Sequence, residues 1–260
     1  MSIDILLDSG AWSAFTQNNP IDIYQYISFI KSKGSNLTGY FNLDVVEDSV
    51  NSYKNFLIMK EEGLNPIPVF HVQAGIKDIN YLLKYMETEE YIAIGSIANI
   101  STKRRIENLD MIWRDYLVDD KKMPKVKVHG LGLLSPELLS RYPWYSVDSS
   151  SWVQFAKFGA ILVPRKRNGI RVFDCPPEVI FVSDRSPKRS ELEGKHIESF
   201  KKLEKEKIVE YINEKGFNLG ELSKDHKLRD KFNLIFFLDL ERSIPEWPWP
   251  FIANRQESLW

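Results

Sequence analysis

Residues 145–152 read YSVDSSSW, a short β-like run that closes on Asp148 and continues into serines. Four stretches upstream close in the same manner: LLDSGAW at 6–12, YFNLDVV at 40–46, FHVQAG at 70–75 and IAIGSIA at 92–98. Each is an apolar, strand-like run that ends on an acid, an amide or a small residue. In an eight-stranded α/β barrel such strand ends converge on one mouth, and active sites are built there. The pattern predicts that Asp8, Asp44, Gln73, Ser96 and Asp148 share a pocket.

Working outward, apolar runs rich in β-branched and aromatic residues fall near 3–8, 38–45, 66–73, 91–96, 125–131, 144–148, 159–164 and 178–183. These are candidate strands. Between most of them lie segments with apolar residues at three- and four-residue spacing, such as 21–34, 47–63, 76–87 and 102–117, the helical signature. Gly34 and Gly63 stand where C-terminal caps belong. Strand and helix in alternation predict a parallel sheet with crossover helices, and eight strands favour closure into a barrel over an open doubly wound sheet. The expected fold is α/β: a TIM-like (β/α)8 barrel over residues 1–189, followed at 190–260 by an irregular helical extension packed on it. The length of 260 residues suits one such barrel.

After Pro164 the segment RKRNGIRVFDCPP has room for a loop or a hairpin but not for a crossover helix. A charged helix is expected over 190–215. The run NLIFFLDL at 233–240 reads as a short buried helix or a strand, and IPEWPWPF at 244–251 is broken by prolines.

A hydrophobic share of 43% with 27% charged residues is that of an ordinary soluble protein. No apolar run approaches the roughly 18 residues needed to cross a bilayer. Asp4 and Asp8 stand where a secretion signal would want a basic start and an apolar core, so a cytoplasmic location away from membranes is expected. The single cysteine, Cys175, excludes an intrachain disulfide and leaves no thiolate set for structural zinc. His71 and His129 lie on different strands without metal-ligand spacing, and read more readily as satisfied histidines than as ligands. No metal or cofactor is expected.

Charge is uneven. Residues 1–100 hold 12 Asp or Glu against 6 Lys or Arg, so with an overall charge of −1 the rest of the chain is basic. Lys103, Arg104 and Arg105, and Arg165, Lys166 and Arg167, are the candidate phosphate contacts of a local basic rim. For any one cluster a merely solvated surface weighs as much.

The ordered set of strand ends resembles the tRNA-guanine transglycosylases, and within that superfamily the DpdA-like enzymes that insert 7-deazaguanines into DNA. DSGAW at 8–12 resembles the family's DSGGFQ segment, NLDVV offers Asp44 for its base-reading aspartate, and HVQAG resembles its VQGG, with Gln73 on the glutamine. IGSIA resembles GGLA, which puts Ser96 and Ile97 where backbone groups line the base pocket. SVDSSSW places Asp148 at the nucleophilic aspartate.

The resemblance implies a base exchange on DNA. Asp148 attacks the sugar C1′ as guanine leaves, and an incoming free 7-deazaguanine, such as 7-cyano-7-deazaguanine, displaces the aspartate. Two displacements at one face retain configuration, as in retaining glycosidases. Asp8 is the candidate proton carrier. Asp44, Gln73, His71 and the backbone at Ser96 and Ile97 are candidates for reading the base, and Trp12, Trp144, Tyr145 and Trp152 are available for stacking. A duplex target must be extruded first.

Two departures matter. The three cysteines and the histidine that hold zinc in tRNA-acting members have no counterpart around Cys175, which favours DNA over tRNA. Ala11 and Ser96 replace family glycines. Alternatives remain: a tRNA-acting enzyme, a nucleosidase or glycoside hydrolase using the same carboxylates, or a non-catalytic nucleic-acid-binding subunit. An accessory protein or a homodimer is left open.

Plainer readings stand beside these. Asp8 before Ser9 and Gly10 suits a turn that closes a strand, Asp148 before serines suits a helix cap, Asp44 lies near a helix start, and Gln73 suits a loop.

Overall fold

Parallel strands in sequence order form the frame of the candidate site. The computed structural model describes residues 5–72, 78–95, 101–185 and 194–252. The chain divides into two compact units. The first holds the chain through Leu133, together with Tyr142–Asp148 and a segment beginning at Trp247; the second holds Leu134–Arg141 and Ser149–Glu246. The domain boundary expected at residue 189 lies outside the described residues.

In the first unit β1 (Leu6–Leu7) pairs in parallel with β2 (Gly39–Tyr40). Just past β2, Phe41 makes a parallel bridge to Ile67, at the approach to β3 (Val69–His71). From there β3, β4 (Tyr91–Gly95), β5 (Lys127–Gly130) and β6 (Ser146–Val147) form a parallel sheet in that order. Asn42 extends the β2–β3 contact with its side chain: its backbone N–H donates to the Ile67 carbonyl and its Oδ1 accepts from the Val69 N–H at 2.8 Å. Ile92, Ala93 and Ile94 are all fully buried, as a parallel strand covered on both faces requires.

Helices α1 (Ala11–Gln17), α2 (Ile23–Lys33), α3 (Ser49–Glu61), α4 (Ile79–Thr88) and α5 (Thr102–Ile112) fall between these strands in the chain. Their starts follow side-chain chemistry: Asp22 caps α2 by accepting from the Gln25 N–H and Asp48 caps α3 by accepting from the Asn51 N–H, both at 2.9 Å. Gly63, at φ 77°, takes the left-handed turn that stops α3. Phe56 and Met59 of α3 and Leu82 and Tyr85 of α4 are buried, with the Phe56 and Tyr85 rings edge to face at 5.1 Å.

The second unit is built differently. Its strand β7 (Ala160–Val163) is followed by the hairpin β8 (Arg165–Arg167) and β9 (Ile170–Val172), then by β10 (Glu178–Phe181), which runs antiparallel to β7. The eighth candidate strand was expected to be parallel and is not. A parallel return needs a crossover of a dozen or more residues, usually a helix, and the hairpin occupies most of the chain available. Its two-residue loop, Asn168 and Gly169, has positive φ at both positions, as a type I′ turn demands.

Helices α6 (Pro136–Arg141), α7 (Ser151–Lys157), α8 (Lys202–Glu214), α9 (Leu219–Lys224) and α10 (His226–Ser243) complete this unit. Ile161, Ile180, Ile212, Leu222 and Phe232 form the centre of its core. The run at 233–240 is helical, inside α10. Asn233, fully buried, accepts from the Leu162 N–H at 2.9 Å and donates to the Ala160 carbonyl at 3.2 Å, so one side chain satisfies backbone groups that a neighbouring strand would otherwise pair. Arg229 donates to the carbonyls of Ala156 and Leu222, at 2.9 and 2.6 Å. Burial lowers the proton affinity of its guanidinium.

Candidate active site

Three carboxylates stand just beyond strands β1, β2 and β6, and the charges of two of them, Asp44 and Asp148, act on the third, Asp8. Asp8 follows β1, Asp44 lies four residues past β2, and Asp148 follows β6 directly. All belong to the first unit.

Asp44 is the buried member, 8% exposed, and both of its oxygens are engaged. Ser9 Oγ donates to Oδ1 at 2.7 Å, and His71 Nε2 lies 2.7 Å from Oδ2. Ser9 Oγ also accepts from the Ala11 N–H at 3.1 Å, which ties the start of α1 to the same cluster. Gly10 enters that helix at φ 76°, a conformation that favours glycine. Opposite His71 in the sheet stands Gly95. A Cβ there would meet the imidazole at 3.2 Å, so the glycine leaves the space that the His71 ring fills.

Asp148 is the open member, with a side chain 57% exposed. The Gly132 N–H donates to its Oδ1 at 3.0 Å, and His129 Nε2 lies 3.2 Å from the same oxygen. His129 is 2% exposed, its ring centroid 4.9 Å from that of Phe41. Its Nδ1 lies 2.6 Å from Ser146 Oγ, which in turn lies 2.6 Å from the Tyr91 hydroxyl. Register explains the meeting: Tyr91 pairs with Lys127, and His129 with both Ala93 and Ser146, so these side chains project from one face of neighbouring strands. The small Ala93 leaves room beside the imidazole.

The two accessible carboxyls are pushed in opposite directions. Asp8 keeps solvent contact, yet crowding by protein penalises its charge, and the negative charges of Asp44 and Asp148 add to this; together they outweigh the Ser9 and Gly10 N–H groups and raise its pKa. Around Asp148 the loss of surrounding water also raises the pKa, but the bond to His129 and the Gly132 N–H bring the net value below the usual aspartate range. Tyr26, whose hydroxyl donates to the Phe41 carbonyl at 2.9 Å, is raised far above the ordinary tyrosine range by burial and by Asp8 and Asp44.

These contacts bear on the plainer readings. Asp148 does not cap α7: the N-cap is Ser150, and the Asp148 carboxylate is bound to His129 and Gly132 instead. Asp44 does not serve the α3 terminus, which Asp48 caps. Asp8 does receive the turn N–H groups of Ser9 and Gly10, alongside its proximity to the other acids.

Gln73, Ser96 and Ile97 lie outside the described residues. Trp12, 46% exposed, sits on α1 with Phe15 beside it at 5.9 Å, both open to solvent. Trp144 is not available for stacking: it is buried against Trp113 at 5.4 Å and Tyr142 at 5.8 Å. Tyr145 is exposed, with Tyr91 and Trp247 at its edges. Trp152, on α7, belongs to the second unit.

Lys103, Arg104 and Arg105 begin α5 in the first unit, Lys103 and Arg104 exposed. Arg165, Lys166 and Arg167 form β8 in the second, where Arg165 Nε donates to the Pro176 carbonyl at 2.9 Å and Arg167 pairs with Asp174 at 3.2 Å. Internal partners therefore take part of the charge of this second cluster. Among the described residues no group of three or more His, Cys, Asp or Glu has the geometry to hold a metal ion, and no helix is long and apolar enough to cross a membrane.

Sequence reading missed His129, Ser146, Tyr91 and Ser9 as parts of the cluster. The alternation of polar with apolar residues on buried strands was the available signal, since a polar face on such strands needs a hydrogen-bond network. Which residue meets which could not be read from it. No protein-family model matches the chain, and no curated protein matches it.

Proposed function

We propose that this chain is a base-exchanging transglycosylase that replaces guanine in DNA with a free 7-deazaguanine through a covalent aspartyl-glycosyl intermediate. The observation that carries the reading is the opposed pair: Asp148, accessible and with its pKa lowered by His129 and Gly132, and Asp8, with its pKa raised by crowding and by the charges of Asp44 and Asp148. Divergent proton affinities in one site mark a division between nucleophile and acid. Asp148 forms the bond to C1′, the C1′–N9 pair departs with the base, and Asp8 supplies the proton that neutralises it. In the second half Asp8 accepts the proton of the incoming base, whose nitrogen displaces Asp148.

Asp44 is proposed to read the base edge. Ser9 and His71 orient it, and each carboxylate oxygen retains a second lone pair for an N–H of the base. Gln73, Ser96 and Ile97 keep the roles that the resemblance gives them. Trp12, exposed on α1, is proposed to stack on the base, and the basic starts of α5 and β8 are proposed to meet phosphates.

The finer fold is proposed to be a modified (β/α)8 barrel. Strands adjacent in sequence order and joined by right-handed crossovers place every crossover helix on one face, so the other face is covered only if the sheet curls on itself. The polar cluster would then line the mouth. A cytoplasmic location belongs to the same proposal, since the DNA and the free base are found there.

The test is incubation of the purified protein with guanine-containing DNA and labelled 7-cyano-7-deazaguanine, alongside tRNA. Label in DNA, lost in Asp148→Asn, is the expected result. Label in tRNA alone would reassign the substrate, and guanine release without incorporation would reassign the chemistry to a nucleosidase. Binding without exchange would leave a non-catalytic subunit.

A further inference from the structure

Asp148 must do more than ionise: one oxygen has to be free and aimed. We propose that Tyr91, Ser146 and His129 form a one-way hydrogen-bond relay that ties down Oδ1 of Asp148 and reserves Oδ2 as the attacking atom. The inference rests on the transglycosylase reading for its chemistry, but not for its geometry.

The direction of the relay follows from counting protons. Ser146 Oγ has a single proton and two neighbours, the Tyr91 hydroxyl and His129 Nδ1, each at 2.6 Å. Tyr91 stays protonated, because burial raises its pKa despite the bond to Ser146, so it is a donor in reserve. When Tyr91 donates to Ser146, the one Ser146 proton is left for Nδ1, and the His129 tautomer that accepts it carries its proton on Nε2, which faces Asp148. In the reverse direction the other His129 tautomer would turn a bare Nε2 lone pair toward the carboxylate. The forward arrangement uses every donor once and ends on the anion.

At the end of the relay, Oδ1 takes both outside donors, His129 Nε2–H and the Gly132 N–H. Oδ2 takes none from another residue among the described ones, and the side chain is open to solvent. Attack through Oδ2 makes Oδ1 the carbonyl oxygen of the glycosyl ester, and the same two donors stay on it. When the incoming base displaces the ester, the electron pair returns to a carboxylate that is already hydrogen-bonded. No proton has to cross the relay, so Tyr91, Ser146 and His129 are positioning residues and not catalytic ones. Asp8, which follows β1 and feels the charge of Asp148, remains the proton carrier.

The experiment has a binding-free arm and a reaction arm. In substrate-free protein labelled with 13C at the aspartate carboxyls, the Asp148 resonance, assigned by its loss in Asp148→Asn, is titrated in the wild type and in His129→Ala, His129→Gln, Ser146→Ala and Tyr91→Phe. His129→Ala is expected to move the titration to higher pH. His129→Gln, whose amide reaches the place of Nε2, is expected to restore most of it. Tyr91→Phe and Ser146→Ala remove only hydroxyls and should move it the same way by less, and Ser146→Ala should have no further effect in the His129→Gln background, where no Nδ1 remains to orient.

In exchange assays His129→Ala should lose about 10- to 100-fold in kcat with KM little changed, the scale of one charge-assisted hydrogen bond. A titration of Asp148 unchanged in Tyr91→Phe, Ser146→Ala and His129→Ala would overturn the relay. So would an active wild type whose His129→Ala variant keeps full kcat. A wild type that exchanges no base would sink the functional reading instead, and the titrations would still decide the relay.

Discussion

His71→Leu tests whether the buried carboxylate of Asp44 depends on its imidazole partner. In the wild type the pair is nearly buried, with side chains 6% and 7% exposed and 2.7 Å between Nε2 and Oδ2. A hydrogen bond to a charged group contributes about 1.5–3 kcal/mol, and removing its donor leaves the buried carboxylate short of a partner. Here Ser9 still donates to Oδ1 but Oδ2 loses its partner in a nearly buried site, which puts the expected loss near the upper bound, about 3 kcal/mol. At roughly 2–4 °C per kcal/mol for a chain of this size, Tm should fall by about 6–12 °C.

The assay is urea and thermal unfolding of four proteins: wild type, His71→Leu, Asp44→Asn and the double variant. In the Asp44→Asn background no charge is stranded, so His71→Leu should cost only about 1 kcal/mol, the scale of one neutral hydrogen bond. The coupling energy should therefore be about 2 kcal/mol, within the range for residues in direct contact. Equal costs in the two backgrounds would refute the reasoning, because the penalty would then come from packing beside Gly95 and not from charge.

Two further predictions follow from named contacts. Asp8→Asn should raise Tm at pH 7 while abolishing exchange: the folded protein raises the Asp8 pKa, so its contribution to stability is complete below the unfolded value of about 3.9 and is lost as pH rises through the folded one. The gain should vanish near pH 3, and a variant equally stabilised at both pH values would contradict the assignment. Asn233→Leu should destabilise by about 2–4 kcal/mol in urea unfolding, since it strands the Leu162 N–H and the Ala160 carbonyl; a loss below about 1 kcal/mol would show that water or a shift of α10 satisfies them.

Much of the secondary structure was legible in the chain. Each of the runs singled out as a strand contains one, because alternation and β-branched composition are local properties. The segment at 165–177 was readable as too short for a crossover helix, and it holds the β8–β9 hairpin. The direction of β10 was not legible: an apolar run looks the same whether its partner is parallel or antiparallel. The C-terminal run at 233–240 stayed ambiguous for a similar reason, and α10 settles it by burying Phe232, Asn233 and Phe236 on one side.

At the site the division is sharper. That acids stand at the ends of strand-like runs, at Asp8, Asp44 and Asp148, is legible in the chain, because strand ends and turn residues are written locally. That these carboxylates share one electrostatic neighbourhood, that Asp8 is raised while Asp148 is lowered, and that His129 rather than a helix terminus holds Asp148 were decided only by the tertiary structure. The physical reason is register. A hydrogen bond between Tyr91 and Ser146, 55 residues apart in the chain, exists only because β4, β5 and β6 lie side by side with their side chains aligned, and no pattern within a single strand encodes that alignment.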